Sequence, residues 1–188
     1  MSFTELTAEE KTILLDIARE SINYGLKHGK PIPVTAADYS NTLQQDAATF
    51  VTLNLNNQLR GCIGTLEAYQ PLIKDVADHA FAAAFHDSRF PPLTAAESIH
   101  LDIHISILTP STPMSFISEE DLIRQIQPGV DGLILEDGFH KGTFLPSVWE
   151  GLSTAKEFLQ HLKLKAGLGK NYWSENIKVS RYRTVSVP

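Results

Sequence analysis

The chain holds one cysteine, Cys62, among its 188 residues. It therefore cannot close an internal disulfide, and every multi-cysteine zinc motif is excluded. Uninterrupted apolar runs long enough to span a bilayer are also missing. The first residues, Met1-Ser2-Phe3-Thr4-Glu5-Leu6-Thr7, lack a basic start and an apolar signal core. A cytoplasmic location, with no membrane partner, is the expectation. Positive charge is in deficit: 16 Lys and Arg against 22 Asp and Glu leave a formal net charge of -6. Nucleic acid is not expected as a partner, because phosphate binding needs a basic surface. A local basic patch can still hold one small anion. There is no phosphate loop, no Gly-x-Ser-x-Gly elbow and no His-Glu-x-x-His motif. No resident metal or cofactor is expected.

What is present suits one domain, residues 1–188, with room for a small subdomain. Thr7-Ala8-Glu9-Glu10 is a capping-box pattern, and Ile13, Leu14, Ile17, Ala18, Ser21 and Ile22 follow at helical spacing up to His28-Gly29. Pro31 and Pro33 open an extended linker. Ala48 to Leu55 is rich in β-formers, and Asn56-Asn57-Gln58 reads as a hairpin turn. Pro71 fits the first position of a second helix, whose stripe of Leu72, Ile73, Val76, Ala77, Ala80, Phe81 and Ala84 predicts deep burial. Ile99 to Leu108 alternates, with Leu101, Ile103, Ile105 and Ile107 inward and Asp102, His104 and Ser106 outward. Ser118 starts a short helix that Pro128-Gly129 ends. Strands follow around Leu133-Leu135 and Thr143-Leu145, joined by an Asp137-Gly138 turn. Thr154-Ala155-Lys156-Glu157 repeats the capping-box pattern before a helix closing at Gly167. Ile177 to Val187 reads as one last strand with Arg181 and Arg183 on one face. Hairpins interrupted by helices, without regular βαβ alternation, predict an α+β fold: an antiparallel or mixed β-sheet flanked by helices.

The chemistry-bearing stretch is Leu59-Arg60-Gly61-Cys62-Ile63-Gly64. On a regular return strand, Leu59 and Ile63 share one face, and Arg60 and Cys62 the other. A guanidinium beside a thiol favours the thiolate. Gly61 and Gly64 let another group or backbone come close to the sulfur.

This hexapeptide resembles the hallmark of the AMMECR domain family. Phe85 to Leu93, Ile103 to Leu108, Pro128 to Ile134, Phe144 to Val148 and Lys165 to Leu168 resemble the family in the same order, over nearly the whole chain. The resemblance implies an antiparallel sheet flanked by helices and a smaller lobe, with the hexapeptide near a cleft between them. Prokaryotic members are labelled system protein A of the AmmeMemoRadiSam set. A Memo-like protein and a radical S-adenosylmethionine enzyme are thus the partners it implies. That enzyme's cluster cannot belong to this chain, which lacks the cysteines. In the family the position of His104 is commonly a glutamate, so this chain departs there.

Each candidate has a functional and a bland reading. Cys62 is a nucleophile or redox thiol, or a small buried hydrophobe. Arg60 binds a carboxylate or phosphate through paired hydrogen bonds, or forms an ion pair with an acid such as Glu67 or Asp87. Arg89 joins it as an anion clamp, or pairs with Asp87 where the helix ends; Phe90 anchors the loop. Asp102 and His104 form an acid–base dyad, or are a solvated strand face. Two ligands are too few for a metal. His140, with Lys141, lies after a hairpin turn and moves protons or is simply exposed. Lys165 interacts with a helix C-terminus. His28, His79, His100 and His161 fit no constellation.

Two functions remain open. One is an enzyme or small-molecule site in which Cys62 is the thiol nucleophile or redox thiol. Arg60, Arg89, Asp87, Gly61 and Gly64 then form the binding surface for an anionic ligand, and His104 or His140 carries protons. The other is a non-catalytic binding or adaptor module, with Cys62 structural.

Overall fold

The structure is a computed structural model that describes residues 5–188. The reading of the extreme N-terminus, residues 1–4, lies outside the described residues. The chain divides into two compact units: the part up to Thr109 with Val185–Pro188, and Pro110–Thr184.

The first unit begins with helix α1, Ala8–His28, started by a reciprocal Thr7–Glu10 capping box and stopped at Gly29, whose φ of 68° is left-handed. Strands β1 (Ala48–Leu55) and β2 (Gln58–Gly64) form a hairpin. Its turn residues Asn56 and Asn57 have φ of 52° and 62°, as the sequence predicts for asparagine. Helix α2 runs Leu72–Phe85 with Pro71 as its N-cap rather than its first helical residue. A short helix α3, Ala95–Ser98, precedes strand β3, Leu101–Leu108. The sheet order is β2-β1-β3-β8, where β8 is Thr184–Val187. Val51, Leu53, Ile103, Ile105 and Ile107 form a core with Leu14, Ile17, Leu72, Val76 and Ala80 of the helices. Alternation on β3 is as expected, with Asp102, His104 and Ser106 outward.

The second unit contains β4 (Thr112–Pro113), α4 (Glu119–Gln125), β5 (Gly132–Asp137), β6 (His140–Phe144), α5 (Ala155–Lys165) and β7 (Lys178–Tyr182). Its sheet order is β4-β7-β5-β6, with every pairing antiparallel. Pro113 is tolerated because β4 is an edge strand. Leu122, Leu133, Leu135, Phe158, Leu159, Leu162 and Val179 make the core. Trp149 stacks on Phe158 at 4.0 Å and donates its indole N–H to Asp131 O.

The α+β fold with flanking helices is the one the sequence predicts. Besides the place of Pro71, three local expectations fail. The tail is two strands, not one: β7 joins the second sheet and β8 the first, with Arg183 between them. Arg181 bonds Gln125 O and lies 3.5 Å from Asp131, whereas Arg183 reaches Gln127. Helix α4 ends at Gln125, before Pro128, because Ile126 turns to extended geometry. The Thr154 cap is one-sided, since the Glu157 carboxylate accepts from the Ser153 N–H.

Candidate functional site

β1 pairs with β2 from Phe50 opposite Gly64 to Leu53 opposite Gly61, then the register slips and Asn54 faces Leu59. Arg60 is the additional residue of a β-bulge. The bulge breaks the alternation on which the expected Arg60–Cys62 face depends. Leu59, exposed, and Cys62 instead fall opposite Asn54 and Thr52 on the outer face, while Ile63 packs toward the core. Arg60 is buried, and its guanidinium is committed elsewhere. Nε donates to Glu97 Oε1 at 2.9 Å, and Nη2 donates to Pro91 O at 2.8 Å and Glu97 Oε2 at 3.3 Å. The acid is neither Glu67 nor Asp87. Glu97 was not singled out by sequence reasoning, although Thr94-Ala95-Ala96-Glu97 is the same capping-box pattern as at residues 7–10, and the box forms. The Arg60 bond, followed by the Thr94 N–H, pulls the Glu97 carboxyl down to about 2.

The glycines serve packing. A Cβ on Gly61 would collide with the carbonyl of Ala83 on α2, and one on Gly64 with Thr49 O and Phe50. Gly61 thus lets α2 lie directly on the strand.

Around the sulfur the arrangement is different. Cys62 is half-buried, and its Sγ lies 3.2 Å from the Thr52 hydroxyl. The Cys62 N–H donates to Asp87 Oδ2 at 3.0 Å. Asp87 also accepts from Arg89 Nε, Nη2 and backbone N–H at 3.0, 2.7 and 3.1 Å. The Arg89 bonds hold the Asp87 carboxyl well below the usual range, against the opposing effect of burial; the Cys62 N–H adds to the lowering. Arg89 is in turn raised, first by its bond to Asp87; burial opposes this, and attraction to Asp87 and Cys62 adds to it. Arg89 and the Cys62 N–H thus share the Asp87 carboxylate, and the Arg89 side chain is 55% exposed. Both guanidinium carbons lie near the Phe90 ring, Arg60 at 5.8 Å and Arg89 at 5.4 Å from its centre.

One step across the sheet, Thr52 pairs with Cys62 on one side and with His104 on the other. The three side chains therefore form a row on the outer face, at the strand spacing of about 4.8 Å. His104 Nε2 lies 2.8 Å from Asp102 Oδ2; Asp102 is exposed and His104 half-buried. Thr52 had no local sequence signal; only the register brings it between Cys62 and His104. His140 belongs to the second unit, where its Nδ1 lies 3.1 Å from Ala166 O just past α5. Lys165 donates to Thr143 O at 2.7 Å. His79, read as fitting no constellation, lies 3.1 Å from both Thr49 Oγ1 and Asp75 Oδ2 in a buried cluster on the core side. Among the described residues no group of three or more His, Cys, Asp or Glu could hold a metal ion. No helix among them is long and apolar enough to cross a membrane.

These features define an α+β protein with two antiparallel sheets and a half-buried thiol on the outer face of one of them. The chain belongs to the AMMECR1 family, whose model matches residues 15–187. It is similar to a protein of Methanothermobacter thermautotrophicus, 35% identical over 97% of this chain and 96% of the relative. Protein MJ0810 of Methanocaldococcus jannaschii is 37% identical over 94% of this chain and 89% of its own length. The crystal structure of the uncharacterized protein PH0010 from Pyrococcus horikoshii superposes with a TM-score of 0.88 at 35% identity, covering 98% of this chain and 93% of that one.

Proposed function

We propose that the outer face of the first sheet is a small-molecule site centred on Cys62. Cys62 acts as the thiol nucleophile, and Arg89 holds an anionic group of the ligand. The observation that carries this reading is the half-buried Sγ beside the Thr52 hydroxyl, with the partly exposed Arg89 bound to the same Asp87 carboxylate that accepts from the Cys62 N–H. Arg60, Gly61, Gly64 and Asp87 support the site rather than touch the ligand. Asp87 holds the Cys62 backbone and Arg89 at once, which sets the distance between charge and sulfur. The class of reaction is thiol-mediated group transfer or hydrolysis. The thiolate bonds to an electrophilic carbon, the leaving group departs with a proton from His104, and water or another acceptor breaks the S–C bond and restores the thiol.

Alkylation of the folded protein by iodoacetamide tests this. Cys62 is expected to react in the native state, several-fold more slowly in Arg89→Gln, and to be protected by millimolar inorganic phosphate. A thiol that reacts only after denaturation would sink the reading. That result would favour a second one, a non-catalytic module docking a Memo-like protein or a radical S-adenosylmethionine enzyme. Its support is that Arg60 Nε and Nη2 and the Cys62 N–H are engaged within the chain, and that Gly61 packs on α2.

A further inference from the structure

The second unit holds a cavity of about 510 Å3 walled by Glu119, Glu120, Ile123 and Arg124 of α4, by Lys156 and Gln160 of α5, and by Asn171. Bonded to Glu119 of its wall is Lys163, a fully buried lysine that belongs to none of the chemistry above. Positions 156, 160 and 163 recur at helical spacing, so the three project from one side of α5. The Lys163 ammonium donates to Glu119, lies 3.5 Å from Lys170 O and sits 5.6 Å from the centre of the Trp173 ring. A lysine is almost never buried without a paired charge. Here the pair fixes Glu119 in the cavity wall and cancels its charge.

The charges left facing the cavity are then two cations, Arg124 and Lys156, and one anion, Glu120. Arg124 is held only loosely, its Nη2 3.9 Å from Asp121 and its side chain 74% exposed. A simple cation would meet two like charges, and a simple anion would be set against Glu120. A small molecule bearing both signs meets neither penalty. Ile123 supplies an apolar contact and Gln160 an amide. The size is in the usual range for small-ligand pockets, roughly 300 to 1,000 Å3.

We propose that this cavity binds a small zwitterion of the amino-acid class. Its carboxylate lies between Arg124 and Lys156, its ammonium on Glu120, and its apolar side chain against Ile123. The Lys163–Glu119 pair is the rigid wall. This inference is independent of the reading of Cys62.

The test is a set of 1H–15N titrations of the full chain with L-leucine, isovalerate and isoamylamine. Leucine should give saturable shifts at the amides of Ile123, Arg124, Lys156 and Gln160. Each half-molecule should bind at least about tenfold more weakly, the cost of one lost charged contact. Glu120→Gln, an exposed helix position, should weaken leucine and tighten isovalerate, because it removes both the ammonium's partner and the charge opposing a lone carboxylate. Isovalerate binding as tightly as leucine, leucine binding unaffected by Glu120→Gln, or no shifts in the cavity would each overturn the proposal.

Discussion

Arg60 shows how one residue's role turns on local backbone geometry. As the additional residue of a bulge, it turns its guanidinium onto Glu97 and the Pro91 carbonyl, away from the partnership with Cys62 that regular alternation predicts. Arg89 is instead the arginine tied to the same Asp87 carboxylate as the Cys62 N–H. Gly61 is the other residue on which the hexapeptide depends. Its Cα lies against the Ala83 carbonyl, a backbone atom that cannot swing aside. Gly61→Ala is expected to destabilise the protein by about 3 kcal/mol, at the upper end for overpacking. Urea unfolding would measure it. A loss below about 1 kcal/mol would mean that helix and strand can separate at little cost.

At the scale of elements, a buried polar cluster ties α2 to β1. Asp75, fully buried on α2, accepts from the Thr49 hydroxyl at 2.6 Å and the Gln70 amide at 2.9 Å, and lies 3.1 Å from His79 Nδ1. Asp75→Ala removes the buried carboxylate that Thr49, Gln70 and His79 share, leaving only the weaker Thr49–His79 and Gln70–Tyr69 contacts. The expected cost is roughly 2 to 4 kcal/mol, with Thr49→Val costing less because it removes a donor and its desolvation together. Thermal unfolding of the two variants gives the order; equal losses would contradict it. Long elements were legible because periodicity and caps are local: α1, the β1–β2 hairpin and β3 follow the pattern of their own residues. The short α3 also has a local signal, Thr94 with Glu97, hidden by the prolines just before it. The division of the tail was not legible. A pattern of alternation tells which face is buried, not which sheet the strand joins.

For the whole molecule, acid stability follows from two depressed carboxylates. Glu97, held by Arg60 and Thr94, has its pKa lowered to about 2 from 4.5, and Asp87 is lowered by Arg89. A group with a depressed folded pKa adds stability above its unfolded value and loses it as pH falls through the folded one. Stability contributed by Glu97 is therefore expected in full above about pH 4.5 and to decline toward pH 2. Melting temperature against pH should fall in this window. Glu97→Gln should be less stable at neutral pH and decline less steeply; parallel curves for the two proteins would refute the assignment.

The sequence by itself determined the fold class, the family, most of the helices and strands, and the prominence of Cys62, Asp87 and Arg89. These rest on local patterns and on the types of residue present. Tertiary structure alone decided that Arg60 pairs with Glu97 while Arg89 shares Asp87 with the Cys62 N–H, that Thr52 stands between Cys62 and His104, and that Lys163 is buried against Glu119. Each of these depends on register or on the packing of distant segments, where a one-residue slip reassigns every neighbour, and no local pattern carries that information.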